Sequence, residues 1–270
     1  MVSLPSPAKW AIRLVAVGYV FLLVGWPLIR LVQQTVDAGW SSIQATFSDP
    51  DVTHALLVTV EISLWAVAIN TVFGITMAIL LVRYEFPGKR MLSALIDLPM
   101  AVSPVVIGLA ILLVYNGVNG WFGPTLEAHG IQVMFNSPAM IMATCFVSLP
   151  LVVREVVPVL EEIGDDQEQA ARSLGASASQ TLRRITLPAI KWAVVYGVVL
   201  TLARSLGEFG ALKIVSGNLT GRTQTAPLVV EQKYQNFAQS EAYTVSLVLV
   251  LMSVLCIVVV SLLRPQESSS

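Results

Sequence analysis

The chain has 270 residues, of which 55% are hydrophobic and only 12% charged, with a mean hydropathy of +0.74. Soluble domains carry about 25% charged residues, so this composition excludes an ordinary soluble globule and places the chain in a lipid bilayer. A net charge of −1 singles out no class of partner, and no nucleic-acid partner is expected.

The side-chain inventory removes several chemistries. Cys145 and Cys256 both lie in apolar segments far apart in the chain, and read as buried small hydrophobes rather than a disulfide or a metal pair. His54 and His129 are the two histidines, too few for a His/Cys metal cluster. No glycine-rich loop is followed by Lys and Ser/Thr, so nucleotide phosphates cannot be held in the P-loop manner. No Ser/His/Asp arrangement suggests itself. The chain is expected to need no cofactor and to catalyse no reaction itself.

Residues 1–9 are short and polar, and Lys9 and Arg13 precede an apolar run from Leu14 to Val32. A secretory signal also starts with a basic end, but this run has about the 20 residues that span a bilayer, and no small-x-small cleavage site follows. It reads as a first membrane helix that stays attached, with Pro27 and Arg30 near its exit. A polar connection, residues 37–53, places Trp40 at an interface-like position. The second span runs from about Ala55 to Val82, and Glu61 and Asn70 in it predict that one face meets protein. A basic loop with a Pro87-Gly88 turn follows. The third span, about Leu92 to Tyr115, contains Asp97, Pro99 and Pro104, which predict a kink. Residues 116–137 carry Gly117, Gly120, Gly123 and Pro124 and no Lys or Arg. The fourth span, about Ala139 to Val159, holds Pro150 and Pro158, with Arg154-Glu155 toward its end. The fifth runs from Ala189 to about Ala211, a polar connection covers Leu212 to Glu241, and the last span is Tyr243 to Leu263. The tail, Arg264 to Ser270, carries no further signal.

Six spans put both termini on one side, and the charges orient them. That side holds Lys9, Arg13, Arg83, Lys89, Arg90, Arg154, Arg172, Arg183, Arg184, Lys191 and Arg264. The other side holds only Lys213, Arg222 and Lys233, so eleven basic residues face three. This positive-inside excess predicts cytoplasmic termini, and a cytoplasmic stretch between spans four and five.

That stretch, Asp165 to Pro188, is punctuated as two short helices. Asp165 and Asp166 offer acceptors at a helix start, Gly175 supplies a left-handed stop, and Ser177 with Gln180 has capping-box spacing. Pro188 suits the first turn of the next helix. Its small residues, Ala170, Ala171, Gly175 and Ala176, let a partner surface approach closely. A plain solvated loop would share these features; the spacing adds more. Gln169-Ala170-Ala171, then Gly175-Ala176, then Ile185-Thr186-Leu187-Pro188 resemble the E-A-A-x3-G-A-x8-I-x-L-P signature of permease subunits of binding-protein-dependent ABC importers. The resemblance implies an all-α, six-span type I importer permease fold with a coupling helix (loop 162–188) seated in a cytoplasmic ATPase. Gln169 stands where the family usually has Glu, which removes a charge; Glu168 precedes it but points about 100° away on a helix.

A narrower resemblance covers residues 50–263. Arg204-Ser205-Leu206-Gly207-Glu208-Phe209-Gly210-Ala211 is similar to the A-R-x-x-G-E-F-G-A run of oxyanion permeases, and Gly217 to Thr223 to the G-N-x-x-G-x-T element after it. Asp97-Leu98-Pro99 with Ser103 to Val106, and Val152 to Pro158, resemble the W-type sulfate/thiosulfate permeases. The implied division is 1–54 for the first span, 55–263 for the permease unit and 264–270 for a cytoplasmic tail. The implied partners are two ATPase subunits, a second, T-type permease, and an extracytoplasmic sulfate-binding protein that lands on 116–137 and 212–241. Molybdate or tungstate is the rival cargo. A secondary transporter is less favoured, since neither an ion-coupling site nor inverted repeats are found. The coupling set is Glu168, Gln169, Ala170, Ala171, Gly175, Ala176, Ile185, Leu187 and Pro188. The translocation set is Arg204, Gly207, Glu208, Phe209 and Gly210. Arg204 and Glu208, four residues apart on the fifth helix, either only lock helix packing or let Arg204 meet a passing dianion.

Overall fold

A computed structural model describes residues 6–263, which form a succession of helices with no strand among the described residues. The tail from Arg264 lies outside them. The first span begins as α1 (Ser6–Val20), passes through a π-helical stretch at Phe21–Gly25 and continues as α2 (Trp26–Asp37). Most of its described apolar side chains are exposed, as a lipid-facing helix requires, while α2 also packs on α14 (Gln239–Leu263). A short α3 (Trp40–Ser48) leads to α4 (Pro50–Arg83), whose start is set by Asp49: its carboxylate accepts from the Asp51 N–H, and Pro50 occupies a position that needs no donor.

The third span differs from its expected single kinked helix. α5 (Lys89–Ala101) and α6 (Pro104–Tyr115) are bent by 113° at a break of two residues. Pro104 is the cause, because its ring forces the preceding residue out of helical space; Ser103 has φ −61° and ψ 135°. Pro99 and, in α8 (Ser137–Ile163), Pro150 and Pro158 are absorbed within helices. Between them the connection folds one turn, α7 (Gly123–Ala128).

Beyond α8 come α9 (Asp166–Ser173), α10 (Ala178–Thr181), a π-helical stretch at Leu182–Thr186 and α11 (Leu187–Leu206). Residues Ala178–Leu206 thus form one continuous rod, where a short helix and a separate span were expected. The π stretch explains the join: the Leu187 N–H reaches back to Leu182 O just ahead of Pro188, which has no N–H to give. The same device precedes Pro27, where the Trp26 N–H bonds Phe21 O.

The fifth span ends at Leu206, five residues before its expected end at Ala211. Gly207 caps it and the chain turns into α12 (Gly210–Val215), then α13 (Ala226–Gln235) and α14 (Gln239–Leu263). The connection 212–241 is correspondingly not a surface loop. Leu212, Val215, Leu228 and Val229 are buried, and so are Thr223, Gln224 and Thr225. Polar composition misleads here because several of these groups satisfy one another: Gln224 donates to Asn218 and Gln232, and the Thr223 hydroxyl donates to Ser216 O.

Five helices are long and apolar enough to cross a membrane, and the bent α5–α6 pair makes a sixth if counted as one span. Lipid gives no hydrophobic drive between helices, so packing rests on close van der Waals contact and interhelical hydrogen bonds. α4, α8 and α11 show both. A Cβ at Gly74 of α4 would lie 2.7 Å from Val152 Cβ, and one at Gly197 of α11 would lie 2.9 Å from Val152 Cα. Val152 of α8 is therefore clasped between two glycine faces. Asn70, buried as its polarity in a span predicted, donates to Cys145 O and to Ser148 Oγ of α8, an interhelical bond of the kind worth about 0.6 kcal/mol. Glu61, expected to do likewise, lies on the outer surface of the chain.

Candidate functional site

The elbow between α8 and α11 is built as its punctuation predicted. At the end of α9 the Gly175 N–H bonds Arg172 O and the Ala176 N–H bonds Ala171 O, the paired bonds of a Schellman stop, with Gly175 at φ +85°. Only glycine takes that backbone without strain. Two residues on, Ser177 Oγ accepts from the Gln180 N–H and Gln180 Oε1 accepts from the Ser177 N–H, a complete capping box. The start of α9 departs from expectation. Asp165 accepts from the side-chain amide of Gln169 at 2.8 Å, and not from a backbone N–H.

The outer surface of this elbow is small and partly apolar. Gln169, Ala170, Gly175 and Pro188 are exposed, while Ala171, Ala176, Ile185 and Leu187 are half-buried. Ala171, Gly175, Ala176 and Ile185 line a concavity of about 400 Å³, rimmed by Leu174, which is 90% exposed in a stretch outside the spans. Gln169 donates to Asp165, the residue just ahead of its own helix.

Glu168 behaves differently from the rest of the coupling set. It is buried, and its two oxygens meet Arg83 Nε at 3.1 Å and Arg83 Nη2 at 3.3 Å. Thr186 donates its hydroxyl to Glu168 Oε1 at 2.8 Å. Arg83 also donates to Leu160 O (3.1 Å) and Gly164 O (2.7 Å), the open carbonyls at the end of α8. One carboxylate thus meets the last residue of α4, the end of α8 through Arg83, and the rod that becomes α11. Arg83 and Thr186 carried no local signal for this role; in sequence Arg83 is only one of the topogenic charges.

The second predicted set lies at the α11–α12 turn. Arg204 Nη1 and Glu208 Oε2 are 2.7 Å apart, so the ion pair forms, although Glu208 stands beyond the helix end and not on the same helix as expected. The alignment is that of an ion pair more than of a directed hydrogen bond. Glu208 Oε1 accepts from the Ala211 N–H, tying the carboxylate into the start of α12. Glu208 is buried while the Arg204 side chain is 39% exposed. Gly210 packs on Pro104 and Val105, whereas among the described residues nothing beyond its chain neighbours comes within 4 Å of a Cβ at Gly207. Gly207 and Phe209 open onto a shallow apolar cleft with Pro227 and Tyr234. Asp97 accepts from Arg154 at 2.9 Å, beside a cavity of about 960 Å³ between α5 and α8.

An all-helical body with five long apolar helices, six spans if the bent α5–α6 pair is counted as one, has the type I ABC importer permease fold. The chain superposes on a chain of the crystal structure of the bacterial alginate ABC transporter in complex with alginate pentasaccharide-bound periplasmic protein, with a TM-score of 0.80 over 97% of this chain and 96% of that one. At 14% identity that likeness concerns the fold alone. Residues 70–266 match the model of the binding-protein-dependent transport system inner membrane components, and the chain belongs to that family. It is 46% identical over 246 residues to the sulfate transport system permease protein CysW of Synechococcus elongatus, covering 91% of this chain and 86% of the relative. It is 37% identical over 246 residues to the sulfate transport system permease protein CysT of Salmonella typhimurium, covering 91% and 88%.

Proposed function

We propose that this chain is the W-type membrane subunit of an ATP-driven importer that moves sulfate, and thiosulfate, into the cytoplasm by alternating access. The observation that carries this reading is the 46% identity with a sulfate permease along nearly the whole chain. The greater identity to that relative than to the T-type one supports the W-type role beside a T-type partner, and membership of the binding-protein-dependent transport family supports two ATPase subunits and an extracytoplasmic sulfate-binding protein. Six spans, with α5–α6 counted as one broken span, put both termini in the cytoplasm, supported by the eleven-to-three charge excess. The permease unit is 55–263 and the remainder is a leading span and a tail.

In this reading Gln169, Ala170, Ala171, Gly175, Ala176, Ile185, Leu187 and Pro188 form the face that seats in the ATPase, with Leu174 as its apolar tip. ATP-driven closure of the two ATPases draws the elbows together, and the packed α4–α8–α11 body turns with them. Arg204 offers a cationic partner to a dianion in transit while Glu208 holds its rotamer, and Gly207, Phe209 and Gly210 shape the turn where the path narrows. A site that held the anion tightly would slow release, so high affinity belongs to the binding protein. In liposomes carrying the complete assembly, Arg204→Gln reduces ATP-dependent uptake of labelled sulfate about ten-fold with assembly intact; unchanged uptake removes Arg204 from the path. Competition by unlabelled thiosulfate, without competition by molybdate, separates the sulfate reading from its rival.

A further inference from the structure

Glu168 is the one buried residue of α9. Otherwise α9 is a polar helix joined to the spans by two short links: Gly164-Asp165, with Gly164 at φ +68°, and Leu174 to Ser177. Its substantial packing is against α10 and Leu182–Thr186, all within the elbow itself. A helix hinged at both ends by non-helical residues would tilt under load and leave the spans where they were. What joins it to α4 and α8 is the Glu168 carboxylate, held by the Nε/Nη2 edge of the Arg83 guanidinium.

The choice of residues fits a fixed geometry. Arg83 uses Nε, Nη1 and Nη2 at once, two toward Glu168 and two toward the α8 carbonyls. A lysine offers one point charge and cannot fill these directions together. Buried ion pairs add little net stability, because desolvation offsets the attraction, and in some proteins they serve instead to specify one arrangement. Beneath the pair the same three helices are already clasped at Gly74, Val152 and Gly197.

We propose that Arg83, Glu168 and Thr186 form a latch that makes the elbow one rigid piece with α4, α8 and α11, so that displacement of α9 moves three spans together. These are positioning residues: Glu168 faces inward to the spans and is not part of the surface that meets the ATPase. The inference rests on the importer reading.

The test uses the complete assembly (both permeases, ATPases and binding protein) in liposomes. It reads labelled sulfate imported per ATP hydrolysed. Glu168→Gln and Arg83→Lys are expected to assemble and hydrolyse ATP, with that ratio falling at least about five-fold, the lower end of usual coupling effects. Thr186→Val lowers it about two-fold and Thr186→Ser restores it, because one hydroxyl bond is at stake. A ratio equal to wild type in Glu168→Gln and Arg83→Lys overturns the latch. So does uptake that falls only in proportion to assembled complex. Should those two variants not assemble, an unchanged ratio in Thr186→Val overturns it instead. Failure of the wild-type assembly to import sulfate with ATP sinks the importer reading, a separate outcome.

Discussion

The two ends of α4 are both fastened by three-way polar clusters, but the clusters are of different kinds. At its start Lys233 Nζ meets Asp49 Oδ2 at 2.9 Å and Glu241 Oε2 at 2.6 Å, which joins α4, α13 and the beginning of α14. At its last residue Arg83 meets Glu168, Thr186 completes the set, and the α8 carbonyls share the guanidinium. The side chains at the first cluster are 22–37% exposed, and the Arg83 and Glu168 side chains only 12% and 7%. Water therefore replaces a lost partner at one end and cannot at the other. The first cluster is a partly exposed tie at the starts of α4 and α14. The second is a built joint under the elbow, the part that the proposed importer seats in its ATPase.

The largest expected effect follows from that difference. Arg83→Ala strands a buried carboxylate, and removing one partner of such a pair costs about 3–5 kcal/mol. Thermal unfolding of the detergent-solubilised complex should show it, and a shift no larger than that of an exposed ion pair would erase the distinction between the two ends. Lys233→Ala should cost about 1 kcal/mol or less, because its partners reach solvent, and raising salt should shrink even that. A salt-insensitive loss of several kcal/mol would place the first cluster with the second.

The smallest effect is in pH. The hydrogen bond and charge of Lys233 hold the Asp49 carboxyl below its ordinary range. For Lys233, burial pulls downward, but the bonds and charges of Glu241 and Asp49 outweigh it and raise the ammonium above its usual value. A lowered Asp49 contributes stability that is complete above its unfolded pKa and lost as pH falls through the lower folded value. A raised Lys233 contributes stability that is complete below its unfolded pKa and lost as pH rises through the higher folded one. Neutral pH lies inside both windows. The stability gap between wild type and Lys233→Ala should therefore stay level from about pH 6 to 9 and begin to close only below about pH 3.9, the ordinary Asp value, as pH falls toward the lower folded value of Asp49. A gap that widens in acid contradicts the assignment.

What sequence reveals divides along the same line as the clusters. The glycine stop at Gly175, the Ser177–Gln180 box and the presence of the five long apolar helices were legible because each depends on neighbours within a few residues. The 113° bend at Val102–Ser103 was only half legible: the prolines mark a disturbance but do not give its angle, nor that α12 packs on α6 beyond it. The early end of α11 and the burial of Thr223, Gln224 and Thr225 were not legible: Thr223 and Gln224 find their side-chain partners only once the segment has folded, and the buried Thr225 hydroxyl has no hydrogen-bond partner among the described residues. Arg83 and Glu168 stand 85 residues apart, and nothing around either one announces the other.

The claim on which all of this depends is that the elbow of α9 and α10 touches the ATPase. A Leu174→Cys variant, with Cys145 and Cys256 replaced, measures it directly. With thiol cross-linkers and single cysteines along the ATPase surface, it should give a permease–ATPase adduct whose yield changes with ATP, and it should resist membrane-impermeant thiol reagents in intact cells. Labelling of the introduced thiol from outside, with no adduct to the ATPase, would contradict the account.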